Sequence, residues 1–141
     1  MSDYPQPVVN EINRPFIEGW QRGELLLQRC RSCGCPVFFP RPHCPRCWSV
    51  DLEWQRCSGR GVIVAHTLVY SHVTEPFVNE VPVLFAEINL DGGWIMLARV
   101  LNPSSVELHG GIAVELVSGS DAMRFPLPTF RIAEPAAKKR Q

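Results

Sequence analysis

The stretch CRSCGCPVFFPRPHCPRC, residues 30–47, carries two Cys-x-x-Cys pairs with ten residues between them. A Cys-x-x-Cys turn sets two thiolates about 3.7 Å apart, the edge of a tetrahedron whose metal–sulfur bonds are about 2.3 Å. Gly34 directly follows the first pair, and a glycine there permits the positive φ that turns backbone N–H groups toward sulfur. Two such turns make a four-thiolate shell of Cys30, Cys33, Cys44 and Cys47. Four thiolates fill the coordination sphere of a zinc ion and leave no position for water, so the expected ion is structural Zn²⁺ rather than catalytic. Iron in a rubredoxin-like site takes the same ligands; zinc is favoured because no redox-partner motif accompanies the cysteines.

Outward from the pairs, residues 25–28, 37–39 and 52–56 read as short strands, so residues 24–57 are laid out as a zinc ribbon. A segment this short cannot bury enough apolar surface by itself, and metal binding worth about 10–16 kcal/mol makes up the difference. Upstream, residues 1–9 are an extended lead-in and residues 10–22 a short helix, with Asn13 as its cap, Pro15 in the first turn and Gly23 as the stop. Phe16, Ile17 and Trp20 share one face of that helix, packing either on the chain's own core or on a partner.

Downstream, Ser58-Gly59-Arg60-Gly61 is a turn and the module boundary. Residues 61–70 form a long strand apolar on both faces. Residues 83–90, a hairpin at Asp91-Gly92-Gly93, and residues 94–101, 112–117 and 130–133 follow. Five strands without helical alternation predict a small closed barrel of the OB type over 58–133, followed by a disordered tail, 134–141. The expected fold is therefore mainly β: a short helix within 1–23, a rubredoxin-like zinc ribbon, then a five-stranded OB barrel.

Composition narrows the function. The 141 residues have a formal net charge of zero, distributed unevenly. Residues 22–60 hold seven Arg against three acids, and residues 61–133 three Arg against seven acids. Barrels of this type often bind single-stranded nucleic acid in a basic, aromatic-lined groove. An acidic barrel is poorly suited to that, so nucleic-acid binding stands as the alternative reading. No apolar run approaches the ~20 residues of a membrane span, and the N-terminus lacks the features of a signal peptide. Six cysteines in that setting point to reduced thiols and the cytoplasm. Cys35 would break the pair spacing and is a bystander. Cys57, with no histidine nearby in sequence, is read as a small buried hydrophobe rather than a nucleophile. His43, His66, His72 and His109 form no triad or ligand pattern.

Taken together, Pro15-Phe16-Ile17-Glu18-Gly19-Trp20, Gly23-Glu24-Leu25, the cysteine pairs, Phe39-Pro40-Arg41, Trp54, Ser58-Gly59-Arg60-Gly61 and Leu127-Pro128-Thr129-Phe130-Arg131 resemble a family. It is the family of bacterial and archaeal zinc ribbon–OB-fold proteins long filed as a domain of unknown function, and the likeness spans residues 14–132. The resemblance implies a non-catalytic accessory subunit in a hetero-oligomer with a thiolase-like or lipid-transfer-type enzyme, an aldolase or a hydratase acting on acyl-CoA in lipid or steroid metabolism. It further implies that Phe39, Pro40 and Arg41 contact CoA or the partner, and that the four paired cysteines are the metal ligands. Docking by Phe16, Ile17 and Trp20 is the accompanying expectation. Cys57 departs from the family pattern, where an aliphatic residue is expected.

Overall fold

The computed structural model describes residues 6–70, 80, 82–103, 105–118, 122 and 124–133. The tail expected at 134–141 and His72 lie outside the described residues. Helix α1 runs Arg14–Gln21, shorter than expected at its start. The reason is a competing turn. The Asn10 side-chain oxygen accepts the N–H groups of Ile12 and Asn13, both at 2.9 Å. Asn13 in turn accepts from the Asn10 N–H and donates to the Val8 carbonyl. The expected side-chain cap by Asn13 is therefore not formed. At the other end the helix stops as expected: Gly23 N–H donates to Trp20 O and Glu24 N–H to Gly19 O, each at 2.8 Å, the paired bonds of a Schellman motif.

The ribbon is a three-stranded antiparallel sheet, with β1 (Leu25–Cys30) between β2 (Pro36–Val37) and β3 (Leu52–Cys57). Strand β2 ends before Phe38 and Phe39. Past Val37 the buried Gln28 side chain takes over: its amide donates to Arg41 O (3.0 Å) and its oxygen accepts Arg41 N–H (2.8 Å).

After Ser58-Gly59 come β4 (Arg60–Val69), β5 (Val83–Leu90), β6 (Ile95–Leu101), β7 (Ala113–Leu116) and β8 (Phe130–Ile132), closed in the order β4-β5-β6-β8-β7. Among the described residues only the β6–β8 pair of the barrel is parallel. That connectivity is the OB barrel. At the β5–β6 hairpin Gly92 has φ 97°, and a Cβ there would lie 2.5 Å from the Trp94 ring, so the turn needs glycine on two counts.

Ribbon, helix and barrel share one apolar core. Phe16, Ile17, Leu25, Leu27 and Cys57 pack in the same cluster as Ile63, Ile88, Trp94 and Phe130. Trp94 fastens the modules together: its indole N–H donates to Gln28 O at 2.6 Å, and the Arg29 guanidinium lies 4.6 Å over its ring. Strand β4 is apolar on both faces in sequence, but only part of it is buried. A bulge at Ile63/Ala65 shifts its register with β5, and Val64 and Leu68, with Tyr70 just past its end, are exposed. Among the described residues no helix is long and apolar enough to cross a membrane.

Candidate metal centre and the groove beside it

Strand β1 delivers Cys30 at its end, and the turn that follows delivers Cys33; the loop before β3 supplies Cys44 and Cys47. All four sulfurs lie within 4.8 Å of one another. The Cys30–Cys47 and Cys33–Cys44 edges are 3.6 and 3.7 Å. A tetrahedron with bonds of about 2.3 Å needs edges close to these values, so the donor set fits a thiolate-bound cation as it stands. Backbone N–H groups point at sulfur in both turns: Cys33 N–H toward Cys30 Sγ, and the Arg46 and Cys47 N–H groups toward Cys44 Sγ.

The convergence shows in the acidities. Cys44 is lowered to about 6, first by the Cys47 N–H and then by that of Arg46, against the effect of burial. Cys30 is lowered as well, with the Cys33 N–H as the largest cause. Cys47 is pushed up to about 12: a bond from the Ser49 backbone lowers it, but burial and the thiols of Cys30, Cys33 and Cys44 outweigh that. Four sulfurs at one point cannot all carry charge without a cation among them, which is the electrostatic condition of a metal site.

Cys35 stands apart from the set. It is half-buried, donates to Pro36 O at 3.3 Å, and its thiol is pushed up by burial. Cys57 is buried in the shared core with its thiol raised by burial, as the hydrophobe reading expects. The described histidines are dispersed: His43 stacks on Trp48, His66 lines the barrel end, and His109 bonds the neighbouring Gly110 O.

Beside the metal module an apolar groove of about 510 Å³ opens where helix, ribbon and barrel meet. It brings together several residues marked in the sequence. Phe16 and Ile17 face it from α1, and Phe39 and Pro40 from the ribbon. Phe39 is 61% exposed and stacks on Phe38 at 4.5 Å, which meets Phe16 edge-on. Arg41 and Trp20 do not line this groove. The exposed docking stripe expected of Phe16, Ile17 and Trp20 is corrected: all three are buried, at 6, 4 and 3% exposure, and Trp20 donates its indole N–H to Phe125 O at 2.8 Å. Packing on the chain's own domain is the reading that holds, because so short a helix must place its stripe on a core to persist. Phe85, Leu97 and Leu127 complete the groove and were missed. Phe85 and Leu97 lie on β5 and β6, between residues that face the core. Leu127 lies in the loop before β8, inside the Leu127-Pro128-Thr129-Phe130-Arg131 motif that was read in the sequence without a role. A larger, more open depression of about 830 Å³ lies at the barrel end, where Arg99 is paired with Glu80 at 2.7 Å.

A four-cysteine ribbon fused through a shared core to a five-stranded OB barrel defines a two-module class of protein. The family models for the ChsH2 rubredoxin-like zinc ribbon domain and the ChsH2 C-terminal OB-fold domain match residues 18–53 and 54–118. The chain belongs to this zinc ribbon–OB-fold family, also called DUF35. It is similar to a DUF35 domain-containing scaffold protein of Pyrococcus furiosus, 29% identical over 77% of this chain and 78% of that one. A probable enoyl-CoA hydratase alpha subunit of Thermomonospora curvata is 26% identical over 93% of this chain, which spans only 40% of that protein. Among solved structures, a chain of an Ltp2-ChsH2(DUF35) aldolase superposes with TM-score 0.75 at 25% identity, covering 90% of this chain and 98% of that one. A DUF35 protein of Sulfolobus solfataricus superposes with TM-score 0.62 at 14% identity, covering 89% of this chain and 87% of that one, a likeness of fold.

Proposed function

We propose that this chain is a non-catalytic accessory subunit that docks on a thiolase-like enzyme, or on a related aldolase or hydratase, and supports its acyl-CoA chemistry in the cytoplasm. The observation that carries this reading is the near full-length likeness to the DUF35 chain of an aldolase, 98% of which is covered. The metal is zinc in a structural role: four thiolates close its shell, so it organises the ribbon and exposes no reactive position. Around that rigid centre Phe39 and Pro40 present an apolar wall to the thioester or the partner, and the exposed Arg41 offers a guanidinium to phosphate or carboxylate.

The test is co-expression with the thiolase-like enzyme of the same genome, followed by co-purification and thioester kinetics. A stable hetero-oligomer whose turnover exceeds that of either chain alone is the expected result. Arg41→Ala should raise the apparent KM about ten- to a hundredfold when the enzyme is saturated with this chain. Independent turnover by this chain, or failure to form the complex, would remove the reading.

A further inference from the structure

The two metal-binding turns are built alike but end differently. Gly34 N–H donates to Cys30 O and Trp48 N–H to Cys44 O, each at 2.9 Å. Both residues lie in the left-handed region, Gly34 at φ 78° and Trp48 at φ 65°. In that conformation a β-carbon crowds the backbone, so glycine is what the turn itself favours. A bulky aromatic there is an outlier whose reason must be sought outside the turn. Burial is not that reason, because Trp48 is 70% exposed. One face of its ring stacks on His43, with centroids 4.7 Å apart and planes 24° from parallel, which fixes the ring. Val50, two residues on, is 81% exposed.

The charges nearby differ between the two turns as well. On the first, Arg31 is engaged by Asp51 at 2.9 Å and by Glu53 at 3.9 Å. Near the second, Arg41 and Arg46 are exposed and have no carboxylate partner among the described residues. A fixed, exposed tryptophan in a turn that also carries Arg46, with Arg41 three residues before Cys44, has the composition of an interface hot spot.

We propose that the second turn is the surface by which the chain docks on its enzyme, with Trp48 entering an apolar socket and Arg41 and Arg46 meeting carboxylates at the socket's rim. This rests on the accessory-subunit reading and names its contact. Charge excludes a two-fold contact of this surface with itself, which would set the same guanidinium groups against each other. The occupant is the enzyme of the accessory-subunit reading, supported by the likeness to a chain of an aldolase. Self-association of the free chain through this turn would overturn it.

Trp48→Gly gives the decisive experiment, because it removes the ring while relieving the strained turn. Affinity for the co-expressed thiolase-like enzyme is measured by calorimetry beside metal content and melting temperature. The expected result is unchanged metal, an equal or higher melting temperature, and affinity weakened at least about thirtyfold. The Arg41→Glu/Arg46→Glu double variant, which keeps Trp48 in place and is checked for metal content in the same way, should weaken binding at least about tenfold and flatten its salt dependence. If the unsubstituted protein binds and both variants bind equally well, this surface is wrong and the accessory reading stands. If the unsubstituted protein does not bind the enzyme, both fall. Tight binding of a twenty-nucleotide oligo-dT that Trp48→Gly abolishes would make the ring a base-stacking platform and overturn the proposal.

Discussion

Ribbon and barrel are both small β structures, yet they are held together in different ways. The barrel closes on its own apolar interior, where Ile63, Ile88, Val114 and Phe130 are at most 1% exposed. The ribbon supplies Leu25 and Leu27 to the common core, while its far end is organised by Cys30, Cys33, Cys44 and Cys47. Hydrophobic burial scales with the area a segment can cover, and a three-stranded sheet with a two-residue edge strand covers little. The barrel therefore has burial of its own to stand on, whereas the ribbon is expected to need a metal at one end and the barrel at the other.

Metal removal should produce the largest effect and separate the modules most sharply. Coordination of a structural zinc is worth about 10–16 kcal/mol, more than the stability of most whole domains. Cys44→Ala, or exhaustive chelation, should abolish order from the first cysteine pair to β3 while β4–β8 remain folded. Amide hydrogen exchange resolves the two, with loss of protection confined to the ribbon. A protein that loses its metal after Cys44→Ala or chelation yet keeps full ribbon protection would show that the ribbon stands on packing alone.

Next in size is the joint between the modules. Trp94 is 4% exposed, packs in the common core, bonds Gln28 O through its indole N–H and carries Arg29 on its ring. Replacing a buried aromatic by alanine costs about 3–5 kcal/mol. Because the side chain touches both modules, Trp94→Ala should lower ribbon and barrel stability together in thermal unfolding of the metal-loaded protein. Trp94→Phe keeps most of the packing and loses the hydrogen bond, so about 1–3 kcal/mol is expected. A loss confined to the barrel would mean that the modules are only neighbours.

The same contrast explains what could be read from the sequence. The four metal-ligating cysteines were legible because metal geometry imposes a spacing on the chain directly, and the strands because apolar alternation and glycine turns are local signals. The hairpin at Gly92 and Gly93 falls where its dipeptide placed it, with φ of 97° and 98°. The failures were all long-range or competitive. Helix α1 starts late because Asn10 captures two N–H groups, a rivalry between two asparagines that propensity cannot rank. The stripe of Phe16, Ile17 and Trp20 was visible, but its partner, the chain's own interior, was set by tertiary packing. Trp48 was passed over, although after the second cysteine pair it holds the place that Gly34 holds after the first. Its backbone conformation, like that of Gly34, is the one the metal turn takes; that a bulky residue stands there shows its consequence only once the φ is seen.

Gln28 is the smallest of these tests and the most local. It is 5% exposed, on a strand whose other buried residues, Leu25, Leu27 and Cys30, are all apolar. Its side chain is retained there by two bonds to the backbone of Arg41, one given and one received, which hold the end of the Phe39-Pro40-Arg41 turn. Gln28→Ala leaves that N–H and carbonyl without their protein partner, at a cost of about 1–3 kcal/mol. The metal should stay bound, since no ligand is touched, and the barrel's hydrogen-exchange protection should be unchanged. Gln28→Glu is the sharper variant: a carboxylate still accepts the Arg41 N–H, but it has nothing to donate to the Arg41 carbonyl and brings charge into a buried site. Glutamate should therefore be worse than alanine at pH 7 and recover on acidification, as protonation restores a donor and removes the charge. If glutamate is instead tolerated as well as glutamine at neutral pH, the turn is held by the Phe38–Phe39 stack and not by the Gln28 clasp, and the ribbon is more self-sufficient than its strand count implies.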